Sequence, residues 1–89
     1  MPQAVVDPDE LRQFALALKK FNVDLRDRMS LLHSRLAALN ETWRDQEQKR
    51  FTDTFDEQLK MMVRFLELSE RHVPYLVRKA DQIDEYLQS

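Results

Sequence analysis

The sequence predicts an all-α protein, an antiparallel helical hairpin of two long helices, and three observations predict it. Apolar residues recur at seven-residue spacing in two separate runs, the pattern of amphipathic helices. Glycine is absent from all 89 residues, which removes the residue that hairpin-rich β folds need for turns with positive φ. Between the two runs stands one helix-start signal, next to the single tryptophan, Trp43. The organisation that follows is one domain over 1–89, with helix one over about 8–40, a turn over about 41–45 and helix two over about 46–87.

Helix one opens at Asp7-Pro8-Asp9-Glu10. Asp7 suits the N-cap, Pro8 suits the first helical position, and Asp9 and Glu10 place negative charge where the helix dipole favours it. Met1 to Val6 read as a loose arm ahead of it, with Val5 or Val6 packing on the first turn. Leu11, Leu18, Leu25, Leu32 and Leu39 then form one row at seven-residue spacing. A second row reads as Phe14 and Phe21, followed by Met29, Leu36 and Trp43 after a slip of one position. A straight helix drifts by about 20° per heptad, so the slip keeps that row on the buried side. No Gly or Pro interrupts the pattern from Leu11 to Leu39, and the helix is expected to run roughly 45–50 Å at 1.5 Å per residue.

The turn is expected at Trp43-Arg44-Asp45. Asp45 is a good N-cap, and Gln48, three residues on, completes the sequence form of a capping box. Trp43 in the bend would bury a large indole and plug the end of the two packed helices.

Helix two repeats the grammar of helix one. Phe55, Met62, Ser69, Leu76 and Ile83 form one row, and Leu59, Leu66, Val73, Ala80 and Leu87 form the other. Both rows keep their phase through Pro74, which argues for one helix kinked at the proline rather than two helices and a loop. A further apolar strip lies beside these rows, made of Phe51, Met61, Phe65, Leu68, His72 and Tyr75. A two-helix hairpin shelters one stripe per helix, so this strip calls for a covering subunit. Two antiparallel hairpins packed together complete a four-helix bundle, and the six residues of the strip are the expected dimer interface.

Composition narrows the function. Hydrophobic residues at 43% and charged residues at 34% suit a folded, charge-coated domain. The net charge of −2 gives no electrostatic reason to expect nucleic acid or an anionic membrane. There is no cysteine, no targeting segment and no run that could span a bilayer. The expected location is therefore the cytoplasm, or the outside by a route that uses no cleavable signal. His33 reads as solvated and His72 as part of the interface strip, and neither has a metal-site spacing around it. Lys19, Lys20, Arg26 and Arg28 alternate with Asp24 and Asp27, which suggests salt-bridge lacing along one helix rather than a phosphate-binding stripe. Arg28 and Arg35 stand seven apart at the edge of the stripe, where an all-helical chorismate mutase would need cations for a dicarboxylate. The slip in the second row turns them outward, so no enzyme activity and no cofactor are expected.

A long leucine-rich helix, a Trp-led bend, and aromatics eight and twelve residues after the Trp (Phe51 and Phe55) resemble the WXG family. These are the small ESAT-like substrates of type VII secretion systems, named for a Trp-X-Gly turn. Here Trp43-Arg44-Asp45 puts aspartate where the family has glycine, a mild exchange because aspartate is the better cap. The resemblance implies a helical hairpin that pairs with itself or with a paralogous small helical protein, with a secretion ATPase as a further partner. Many members or their partners carry a tail signal in which Tyr is followed four residues later by Asp or Glu. Four residues after Tyr75 stands Lys79, and three residues follow Tyr86. The expected function is a WXG-like component of a type VII-like secretion system that acts by protein–protein binding. The alternative is a helical adaptor or scaffold module with no secretion role.

Overall fold

The computed structural model describes residues 6–88, and it is a hairpin of two helices, α1 (Pro8–Thr42) and α2 (Gln46–Gln88), with no strand among the described residues. Met1 to Val5 lie outside the described residues, and Val6 is exposed rather than packed on the first turn. Asp7 caps α1 as its chemistry requires: its carboxylate accepts from the Asp9 N–H at 2.9 Å, and its carbonyl accepts from Leu11 N at 3.1 Å. No helix among the described residues is long and apolar enough to cross a membrane.

The molecule is a rod of 66 × 23 × 14 Å with a radius of gyration of 20.0 Å. A compact chain of this length would have a radius of about 12 Å. Its thinnest dimension is close to the width of one helix with its side chains, about 10–12 Å. The hairpin is therefore a single layer, and each helix has only one neighbour against which to bury apolar surface.

The core is correspondingly thin. Among the described residues, Ala15, Met29 and Leu36 from α1 and Leu66 and Ala80 from α2 are the buried hydrophobic residues, and Leu66 is the one large side chain fully enclosed. On α2 the expected rows supply most of the inward face: Leu66, Ser69 and Ala80 are buried, and Phe55, Leu59, Val73, Leu76 and Ile83 are half-buried, while Met62 and, near the end of the helix, Leu87 are exposed. On α1 the expected second row is corrected. Phe14 and Phe21 are 59% and 51% exposed, whereas Ala15 and Asn22, one position later, are buried. The row runs Ala15, Asn22, Met29, Leu36 and Trp43 at unbroken seven-residue spacing, without a slip. Ala15 and Ala80 are both almost wholly buried, as are Asn22 and Ser69. The helices approach closely at these levels, and a phenylalanine would not fit.

Among the described residues, Asn22 and Ser69 form the one buried polar contact across the hairpin, with Ser69 Oγ donating to Asn22 Oδ1 at 2.7 Å. The Asn22 amide nitrogen is buried without a partner, which costs free energy that an apolar residue would not. Such a pair loses its partner under any slip of α1 against α2, so it disfavours other registers more than it adds to stability.

α2 passes through Pro74 without a break. Proline has no N–H to offer the Glu70 carbonyl four residues back, and its ring crowds that carbonyl. Pro74→Ala is expected to keep the fold and raise stability by about 1–3 kcal/mol, read as a higher midpoint in chemical denaturation. A loss of stability would show that the proline holds a bend the packing needs.

The turn and the two faces of the hairpin

α1 ends where Trp43 leaves the helical region, at φ −98° and ψ 111°, with its N–H still donating to the Leu39 carbonyl at 3.0 Å. Thr42 Oγ1 also donates to the Leu39 carbonyl, and Arg44 Nε donates to the Glu41 carbonyl at 3.0 Å. Arg44 thus supplies a donor to a carbonyl that loses its helical partner at the C-terminus, and Thr42 adds a second donor to the Leu39 carbonyl. Asp45 then starts α2, its carboxylate accepting from Gln48 N at 2.9 Å.

The reciprocal half of the expected capping box is not made. The Gln48 amide donates instead to Thr52 Oγ1 at 3.1 Å, and that hydroxyl donates to Asn40 Oδ1 at 3.3 Å. The network ties the last turn of α1 to the first turns of α2, which a reciprocal box confined to α2 would not do. None of the described residues has positive φ. The turn therefore has no position that requires glycine, and aspartate stands at Asp45 without strain.

Trp43 is half-buried rather than enclosed. Its ring centroid lies 5.8 Å from that of Phe51, which stacks in turn on Phe55 at 5.5 Å and 18°. The three rings form a ladder up the first turns of α2, with Phe51 44% exposed. Arg44 and Asp45 are exposed beside it.

The two broad faces of the layer differ in chemistry. On one, Arg12 pairs with Asp81 at 2.8 Å and with Asp84, and Arg26 makes a two-pronged contact with Glu70 at 2.9 and 3.2 Å. The Arg12 guanidinium is held further above its ordinary range by hydrogen bonds to Asp81 and then Asp84, so it stays charged. Arg26 reaches across to α2 rather than along α1 to Asp24 or Asp27, which corrects the expected lacing. This bridged face also carries two open grooves. The larger, of about 850 Å³, has Met29 and Leu66 at its floor, with His33 and Lys60 exposed beside them.

The other face has none of these bridges. One position to the far side of the buried rows stand Phe14, Phe21, Arg28 and Arg35 on α1 and Phe51, Phe65, His72 and Lys79 on α2. Phe65 and Phe51 are 55% and 44% exposed, and Met61, Leu68 and Tyr75, in the next row out, are more exposed than buried. Leu32, Leu39 and Met62, from the inner rows, are also open on this side. All six residues of the expected interface strip, Phe51, Met61, Phe65, Leu68, His72 and Tyr75, are exposed in the single hairpin.

The structure extends that strip onto α1, through Phe14 and Phe21, which periodicity alone assigns to the core. Arg28 and Arg35 are exposed on the same face and line neither of the two grooves. An apolar surface that spans two helices is larger than the scattered exposed residues of an ordinary monomer, and such patches mark association sites.

The two roles of the turn can be separated by substitution. Trp43→Ala is expected to cost about 2–4 kcal/mol, less than full burial would imply because the ring is half-open. Asp45→Gly is expected to cost only a few tenths of a kcal/mol, since glycine is also an acceptable cap. Both are read by chemical denaturation. Unfolding by Asp45→Gly would show that the carboxylate does more than cap α2.

A model of one protein family, WXG100, described as proteins of 100 residues with WXG, matches residues 3–86. No curated protein and no solved structure matches the chain.

Proposed function

Because the chain belongs to the WXG100 family of small ESAT-like proteins, we propose that it is a substrate or component of a type VII-like secretion system, the route that family uses without a cleavable signal peptide. It acts by binding and not by catalysis: its open face packs against the open face of a second small helical hairpin, and the pair forms a four-helix bundle. The observation that carries this reading is the exposed apolar surface running along both helices, from Phe14 and Phe21 on α1 to Phe51, Phe65 and Tyr75 on α2.

A single layer leaves that surface in water, and a second layer of the same length removes it. Trp43 and the turn at the closed end of the rod remain outside such a bundle, and they are the natural contact for a larger component such as a secretion ATPase. Aromatic residues at a rim are frequent binding anchors.

A second reading, a helical adaptor without a secretion role, is favoured by one observation: Lys79 stands four residues after Tyr75, where many family members or their partners have an acidic residue. Export separates the two. In the native host, the tagged protein is expected in the culture medium, and only in cells once the secretion ATPase is deleted. Retention in the cell in both strains would establish the adaptor reading. Within the first reading, Phe65→Glu is expected to abolish export while leaving the helical circular dichroism intact, because the new charge is buried and unpaired only in the bundle. Normal export of that variant would exclude the open face as the pairing surface.

A further inference from the structure

The charges on the hairpin are sorted by face. On the bridged face the cations Arg12 and Arg26 are matched across the hairpin by Asp81, Asp84 and Glu70. On the open face, the row flanking the core holds Arg28 and Arg35 on α1 and Lys79 on α2. All three are exposed, and none of their side chains makes a hydrogen bond or an ion pair with another described residue. Within α1 and α2 no acidic residue falls in that flanking row or in the inner row beside it, and Asp7, seven residues before Phe14, is the N-cap just outside α1. The acids nearest on this face, Glu10, Asp24 and Glu47, stand one row further out, at the margin that water reaches in a bundle.

Resting on the hairpin-pairing reading above, we propose that the open face selects a partner other than a second copy: a helical hairpin whose matching apolar face carries acidic residues in its flanking rows. Packing two copies face to face would bring Arg28, Arg35 and Lys79 of each into rows that offer apolar groups, glutamine, histidine and more cations, but no carboxylate within α1 or α2. Charges desolvated without a counterpart oppose association, and like charges brought together add to that. Acidic flanking residues on the partner would meet the same three cations as ion pairs, as the flanking positions of coiled coils do when they set partner choice. The apolar strip supplies the attraction and the cationic row supplies the discrimination.

The full-length chain itself provides the probe. A charge-reversed version, Arg28→Glu with Arg35→Glu and Lys79→Glu, presents the same apolar face with acidic flanks. Sedimentation equilibrium is run on the wild type alone, the reversed variant alone, and an equimolar mixture. The mixture is expected to associate at least about tenfold more tightly than either protein alone. That advantage is expected to shrink between about 0.05 and 0.5 M salt as the charges are screened. Wild-type self-association as tight as that of the mixture, at both salt levels, would overturn the selection of an acidic partner and leave the pairing of hairpins standing. Absence of association in all three samples would overturn the pairing reading together with this one. Should the reversed variant lose its helical circular dichroism, the neutral set Arg28→Gln, Arg35→Gln and Lys79→Gln takes its place. Removing the repulsion is then expected to tighten self-association by about tenfold, and unchanged self-association would refute the proposal.

Discussion

A hairpin one layer thick cannot enclose what its own sequence asks to bury, and the rest of the structure follows from that constraint. Two helices side by side share one seam, which hides Leu66, Met29 and Leu36 together with the small residues Ala15 and Ala80. Large side chains beside the seam, such as Phe14, Phe65 and Leu32, have no third element to lie under. The hydrophobic stabilisation from so thin a seam is small against the conformational entropy lost by ordering two helices of 35 and 43 residues. The apolar surface left open by folding is the surface available for a partner to cover.

The seam is held in one register by polar contacts that act at different depths. Ser69 and Asn22 meet inside it, while Arg26 with Glu70 and Arg12 with Asp81 and Asp84 clamp its bridged edge. The clamps are largely exposed, so each adds little to stability. Their effect is to fix which edges of the two helices face each other. By taking the charged edges inward on one face, they leave the phenylalanine-bearing edges together on the other. One rotation of each helix about its own axis thus produces both the bridged face and the open one.

The turn shows why a diagnostic glycine can be replaced. Glycine is required where φ is positive or the backbone approaches a neighbour closely. Here Trp43 is extended, no described residue has positive φ, and the position after Arg44 serves as an N-cap. Aspartate fills that role through its carboxylate. The Asn40–Thr52–Gln48 chain of hydrogen bonds then ties the two helices together beside it.

By itself the sequence determined the helical class, the turn at Trp43 to Asp45, the cap at Asp45 and the inward rows of α2, because each rests on local chemistry or on a period that survives without knowledge of the neighbour. It also marked the exposed strip on α2, since Phe51, Phe65 and Tyr75 exceed what one seam can hide. Only the tertiary structure decided which row of α1 faces inward. Phe14 with Phe21 and Ala15 with Asn22 keep the same seven-residue spacing one position apart, and hydrophobicity favours the phenylalanines. The close approach of α2 at Ser69 and Ala80 favours the small residues, and that approach does not exist until the helices meet. The same step sorted the charges, pairing Arg26 with Glu70 and leaving Arg28 on the open face. Residues two apart on a helix point in different directions, and only a packed neighbour gives those directions a meaning.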